Sequence, residues 1–359
     1  MEIKKDAFNC SRVIVTGHTG FKGSWLSLWL KKMGAEVIGI SDLIPTTPSH
    51  FEAAGIGELI KDIRLDIRDL KNLSQTISKI KPDYLFHLAA QPIVTESIRN
   101  PIETWNINTL GTANVLQSLL NLNNNCIGIF ITSDKAYDNQ EWLWGYKETD
   151  KIGGGDPYSA SKGGAELAIS SFYRTYFKNS NNIKIAIGRA GNVIGGGDWA
   201  ANRIVPDCIR SWQKQEPVVI RNPYSTRPWQ HVLEPLSGYL SMATSLHTSN
   251  KINGEAFNFG PALDENKTVG DVVSCLSSHF DYSKCQIEGE KSKDDNESKL
   301  LKLNCEKALT YLNWRAQLSF PETITKTALW YKNFLDNPEN IKNFSISQIS
   351  DYIERINYE

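Results

Sequence analysis

Residues 12–33 read RVIVTGHTGFKGSWLSLWLKKM. Arg12 to Thr16 is a short β-branched run, and Ser24 to Met33 repeats its apolar residues at helical spacing. Between them, GHTGFKG sets Gly17, Gly20 and Gly23 at GxxGxxG intervals. The order predicts a strand, a glycine turn and the N-terminus of a helix. Glycine lets a backbone turn tightly and approach a pyrophosphate, and the free amides at a helix start attract its charge. A glycine motif alone is weak, but one held between a strand and a helix at the head of the chain predicts a dinucleotide-binding α/β fold. Lys22 either adds charge to the phosphate site or is an ordinary solvated helix lysine.

The pattern continues downstream. Glu36 to Ser41 is a second strand ending at Asp42. That acid either binds a ribose 2′-hydroxyl, which selects NAD over NADP, or is a loop aspartate. Ile63 to Ile67 is a third strand, with Asp66 and Ile67 placed to flank an adenine. Tyr84 to Ala90 is a fourth, whose end (Leu88, Ala89, Ala90) is small enough for a cofactor to lie against the backbone. Asn106 to Leu120 reads as a long helix, in which Asn108 either holds the active-site backbone by its amide or caps the helix. Gly128 to Thr132 is strand five, and Ile183 to Gly188, ending in Arg189, is strand six. Strands alternating with helices predict a doubly wound parallel sheet of the Rossmann type over residues 1–190. Residues 191–359 change character, from the glycine-rich GNVIGGGD at 191–198 to a helical, aromatic end. They predict a smaller C-terminal α/β substrate domain, with some segments returning to the Rossmann core.

Residues 133–162, SDKAYDNQEWLWGYKETDKIGGGDPYSASK, carry the chemistry. Tyr158 and Lys162 stand four apart at a helix start, so both lie on one face. A phenol is a poor base at neutral pH, and an ammonium one turn away stabilises its phenolate. Such a pair takes a proton from a hydroxyl while a nicotinamide takes hydride from the same carbon. Ser133, Asp134 and Lys135 directly after a buried strand separate this pair from a chance helix pair.

The chain has 359 residues, 40% of them hydrophobic, and a formal net charge of −1, with no basic block, which argues against a nucleic-acid partner. The opening MEIKKDAFNC has no apolar signal core and no run reaches membrane-spanning length, so a soluble, cytoplasmic protein without a membrane partner is expected. Six scattered cysteines form no CxxC, and no Cys/His cluster has zinc spacing, so no metal is expected. Asn121 to Asn125 and Lys291 to Lys299 are the most loop-like polar runs.

In order, GHTGFKG, HLAAQ, SDK, YSASK, GNVIGGGDW and RPWQHVLEP resemble the extended short-chain dehydrogenase/reductase family. Within it they look like the CDP-glucose 4,6-dehydratases, over about Ser11 to Tyr331. The resemblance implies retained NAD, CDP-glucose as the nucleotide-sugar substrate, a 4-keto-6-deoxy product plus water, and a homodimer or homotetramer. It implies that His18 and Phe21 of the glycine turn, Leu88 to Ala90, Thr132 and Arg189 join Tyr158 and Lys162 at the cofactor. It implies that Gln91, Ser133, Asn192, Arg203 and Arg227 meet the substrate, and that Asp134 protonates the departing C6 hydroxyl. Related dTDP-glucose enzymes place glutamate, the implied C5 base, where this chain has Lys135. Lys135 is then either a neutral base or a charged stabiliser of the enolate, with a simple pair to Asp134 as the bland reading. A dehydratase or 4-epimerase for another nucleotide sugar, and a silent NAD-binding scaffold, are the competing readings.

Overall fold

In the computed structural model, which describes residues 7–263, 265, 267–287 and 300–357, a seven-stranded sheet organises the chain. Its strands are β1 Arg12–Thr16, β2 Glu36–Ser41, β3 Lys61–Arg64, β4 Tyr84–His87, β5 Cys126–Ile131, β6 Ile183–Ala190 and β7 Ala256–Phe259. They pair in parallel in the order β3-β2-β1-β4-β5-β6-β7. The order reverses between β1 and β4, where Thr16 lies opposite His87. A crevice opens outside the strand ends at such a switch point. Every residue of β4 and β5 is buried, as expected where both faces of a parallel sheet are covered.

The principal helices are α1 Phe21–Lys32, α2 Leu70–Ile80, α3 Gly111–Leu120, α4 Pro157–Phe172, α5 Ile204–Gln213, α6 Leu233–Thr248, α7 Phe320–Asp336 and α8 Ile341–Asn357. Val13 and Val15 turn to a core with Trp25 of α1 and Leu240 of α6. Ile14, between them, turns to the opposite core with Leu73 of α2, Leu116 of α3 and Ile169 of α4. The two-residue period of a strand thus feeds two separate hydrophobic layers.

Residues after 190 supply elements both to the sheet and outside it. The segment Leu233 to Phe259 returns to the sheet as α6 and β7, with Phe257 opposite Gly188. α5 and a small parallel pair, Val218–Ile220 with Cys285–Ile287, stand apart from it. α7 and α8 lock back onto α1 through rings: Trp25 stacks on His50 at 4.4 Å, and His50 meets Trp330 at 5.8 Å. The Trp25 indole also donates to the Gly196 carbonyl at 2.9 Å.

Several boundaries differ from the sequence reading. α1 begins at Phe21, three residues early, because extended Gly20 serves as its N-cap. β3 and β4 stop at Arg64 and His87, so Asp66 and Leu88 to Ala90 lie beyond the strand ends. The long helix begins at Pro101, since proline suits a first helical position. It reaches α3 through a π-helical turn, Asn106–Leu110. Lys291 to Lys299 lies outside the described residues.

Candidate active site

The glycine turn divides its labour. Gly17 has φ +72°, and a Cβ there would sit 2.7 Å from the Ala89 backbone. A Cβ on Gly23 would come within 2.1 Å of the Gly17 carbonyl, so that glycine lets α1 pack on the turn. Gly20 faces open space apart from the Gly17 carbonyl at 3.3 Å. It forms a smooth cradle at a helix N-terminus with no side-chain cap, and this cradle fits the pyrophosphate of NAD. His18 is fully buried, its ring packed over Gly39 and its Nε2 2.9 Å from Asp62 Oδ1. It therefore shapes the turn from beneath. Phe21 opens α1 and comes close to Gly195 across the crevice.

The catalytic candidates meet at the carboxyl end of β5. Ser133 caps a 3₁₀ turn, Asp134–Ala136, and its hydroxyl accepts from the Lys135 amide at 3.2 Å. Asp156 caps α4 and accepts from the Ser159 amide at 3.0 Å, with Pro157 as first helical residue. That cap starts α4 just before Tyr158, whose own amide donates to Ser97 Oγ at 3.1 Å. Tyr158 and Lys162 are both buried. Asn108, in the π-helical turn, accepts from the Gln91 amide at 2.8 Å and donates to Ser161 Oγ at 2.9 Å. Its side chain ties the β4 end to α4, so it holds backbone and is not an N-cap.

Electrostatics corrects one expectation. Burial pushes the Tyr158 phenol up to about 12, outweighing the Ser133 hydroxyl bonded to it and the nearby charge of Arg203, both of which lower it. Lys162 is drawn down to about 7 by burial and by Lys22, and, among the described residues, Glu166 pulls the other way. A phenol already lowered by Lys162 is thus not what the folded chain displays, because desolvation dominates both groups. Asp134 is raised, chiefly by burial. Its Oδ1 accepts from Ser133 Oγ at 3.0 Å, while buried Oδ2 has no partner among the described residues. A carboxyl raised by burial holds its proton more strongly than an exposed one and is suited to act as an acid. Lys135 is half-buried, and its charge is the first of those that draw the Asp134 carboxyl back down, so a pairing with Asp134 stays beside its two catalytic readings.

Cations ring this acid. Lys22, lowered to about 8 by burial and by Arg203, senses Asp134 and is not a solvated helix lysine. Arg203, N-cap of α5, binds Asp198 Oδ2 at 2.8 Å and lies near Tyr158. Buried Arg227 also acts on Asp134. Asn192 follows β6 and accepts from the Gln230 amide through its carbonyl at 3.0 Å. The arrangement suits a diphosphate beside a sugar.

Other candidates also make contacts within the protein. Gln91 donates its amide to Thr104 Oγ1 at 2.9 Å and to the Ile93 carbonyl at 3.1 Å. Arg189 is bound by Glu166 at 2.7 and 2.9 Å and donates to the Tyr137 hydroxyl at 2.7 Å, so its guanidinium is held by protein groups. Thr132 donates to the same Glu166 at 2.5 Å. Asp66 is paired with Arg68, and Ile67 is packed under Gly111. Asp42 is exposed at the end of β2, its carboxylate accepting from the Leu43 amide at 2.9 Å. The sequence reading passed over Ser97 and Glu166. The spacing of Glu166, four beyond Lys162, was the available signal for it.

The sequence profile of the family described as GDP-mannose 4,6 dehydratase matches residues 14–327. A CDP-glucose 4,6-dehydratase of Salmonella typhimurium is 45% identical over 98% of this chain and 98% of its own length. An epimerase from Methanothermobacter thermautotrophicus superposes with a TM-score of 0.80 at 24% identity, covering 94% of this chain and 96% of that one. A UDP-glucuronic acid 4-epimerase of Bacillus cereus, solved with UDP-glucuronic acid and NAD, has a TM-score of 0.76 at 22% identity, covering 90% and 99%. With a nucleotide cradle, a Tyr–Lys pair and a buried acid on one crevice, and with these matches, the chain belongs to the GDP-mannose 4,6 dehydratase family of extended short-chain dehydrogenase/reductases.

Proposed function

We propose that the chain is an NAD-dependent CDP-glucose 4,6-dehydratase, which converts CDP-glucose to CDP-4-dehydro-6-deoxyglucose and water. The observation that carries this reading is the buried Oδ2 of Asp134, unpartnered among the described residues, beside Tyr158. A 4-epimerase has no leaving hydroxyl to protonate, whereas a dehydratase does. The 45% identical relative supports cytidine as the base.

When bound, NAD takes up and returns one hydride and, oxidised, carries a positive nicotinamide charge. Tyr158, as phenolate held by Arg203 and Lys162, accepts the C4 hydroxyl proton. The resulting 4-ketone acidifies C5. Lys135 either takes the C5 proton as a neutral amine or stabilises the enolate as an ammonium. Asp134 gives its proton to the C6 hydroxyl, which leaves as water. Lys22, Arg203 and Arg227 hold the diphosphate, with Asn192 beside it. Asp42 takes a ribose hydroxyl, and Asp66 with Ile67 flanks the adenine.

The protein works as a homodimer or homotetramer in the cytoplasm. Ile102, 72% exposed, and Leu110 lie along one helical run, with Leu167, 67% exposed, on α4 beside it. Together they form an apolar face that a second copy covers. No helix among the described residues is long and apolar enough to cross a membrane. Incubating the protein with CDP-glucose and NAD and recording proton NMR tests the function. A C6 methyl doublet beside a 4-ketone is expected; a galacto sugar without a methyl, or unchanged CDP-glucose, overturns it.

A further inference from the structure

Glu166 lies on α4 one turn beyond Lys162, on the same helix face. It is 4% exposed. Its Oε1 accepts from Thr132 Oγ1 at 2.5 Å and from Arg189 Nε at 2.7 Å, and its Oε2 from Arg189 Nη2 at 2.9 Å. Thr132 is the residue before Ser133. One carboxylate therefore joins the strand end bearing Ser133, Asp134 and Lys135 to the helix bearing Tyr158 and Lys162. Arg189 extends the tie: its Nη1 donates to the Tyr137 hydroxyl at 2.7 Å, which donates to Asn258 Oδ1 at 2.8 Å.

We propose that Glu166 is a positioning residue of the reaction, which fixes the register of the two catalytic segments and supplies the negative charge that keeps Lys162 an ammonium. The surroundings of Lys162 require such a charge. Lys22 faces it from α1, His87 from the end of β4, and Tyr158 and Glu166 from α4 itself. Burial and Lys22 favour the neutral amine, and His87, held neutral by burial, adds no charge. Among the described residues, Glu166 opposes them. A neutral amine offers a phenolate no counter-charge, so losing the carboxylate removes the support for the first proton transfer. This inference rests on the dehydratase reading only through the turnover assay.

Glu166→Gln combined with Arg189→Met removes the buried pair as a unit, which folds commonly tolerate, whereas Glu166→Gln alone strands Arg189. Thr132→Val cuts only the tie to the strand end. Two readouts apply: the pH profile of kcat on CDP-glucose, and the titration of the Lys162 Cε resonance in 13C-lysine protein, assigned by its loss in Lys162→Met. In Glu166→Gln both midpoints move to lower pH by about one unit, and kcat at about pH 8 falls roughly tenfold while KM stays within about twofold; the double variant, which removes a positive charge with the negative one, moves them less. Thr132→Val lowers kcat several-fold and moves neither midpoint. Unmoved midpoints in Glu166→Gln, or in the double variant should the single one not fold, overturn the charge role. Full kcat in Thr132→Val overturns the register role. A Lys162 midpoint that shifts in protein inert towards CDP-glucose sinks the dehydratase reading and leaves this one standing.

Discussion

Ser133 donates to Oδ1 of Asp134 at 3.0 Å and leaves Oδ2 of the same carboxyl buried and without a partner among the described residues. A serine between a tyrosine and an aspartic acid thus serves both ends of the proposed reaction. Its oxygen faces the phenol that takes the C4 hydroxyl proton, and its own proton steadies the acid that protonates the departing C6 hydroxyl.

Asp134→Asn keeps the Ser133 bond but has no proton to give. C4 oxidation continues, while elimination slows by about 10²- to 10⁴-fold, the range for losing a general acid. Rapid quench with mass analysis should show the 4-keto hexose accumulating with its C6 hydroxyl intact. Wild-type release of water would remove Asp134 from the step.

Tyr158→Phe should end reduction of NAD by CDP-glucose, with a loss of about 10²- to 10⁴-fold in the rate at which nicotinamide absorbance grows. The phenol is held at about 12, so wild-type activity should climb as pH rises, until Lys162, held at about 7 before ligands bind, loses its proton. A pH profile that falls throughout this range would contradict the assignment of base and counter-ion.

Lys135→Ala should still oxidise C4 yet exchange the C5 proton with deuterated water more slowly, by about 10-fold or more. Deuterium incorporation followed by NMR decides it. Unchanged exchange would leave Lys135 no part in that step.

Glu234 sets a pH limit on stability. Burial pushes its carboxyl from the usual 4.5 up to about 7, although it accepts from the Gln317 and Leu318 amides and from Tyr352. The folded state therefore holds a proton that the unfolded chain releases. This contribution is fully present below about pH 4.5 and is lost as pH rises through about 7. Glu234→Gln should flatten that decline in urea melts between these values; an unchanged slope would show that the group titrates normally.

Ile102→Arg or Leu167→Arg should yield a smaller assembly in light scattering, because each sets a charge in the apolar face proposed to be covered by a second copy. Unchanged mass in both variants would place the subunit contact elsewhere.

Short-range chemistry was legible in the sequence, and pairing across distance was not. Gly17, Gly20 and Gly23 announce their turn because each does a local backbone job. Tyr158 and Lys162 announce a helix face because helix geometry fixes it. The partners of Arg189 were not readable: an arginine at a strand end suits a phosphate as well as it suits a buried Glu166, and only the fold brings that carboxylate to it. Lys22 was ambiguous for the same reason, since Asp134 and Arg203 reach it from far along the chain. The start of α1 was misplaced because Gly20 caps through its extended backbone, which leaves no side-chain signature.

The placement of β7 also governs how the protein is born. During translation, β6 leaves the ribosome well before residues 256–259 can dock along it. Until then its outer edge offers unpaired amides and carbonyls to any neighbouring nascent chain. Synthesis that pauses between these two strands therefore leaves that edge open, and elongation past Phe259 allows it to be covered.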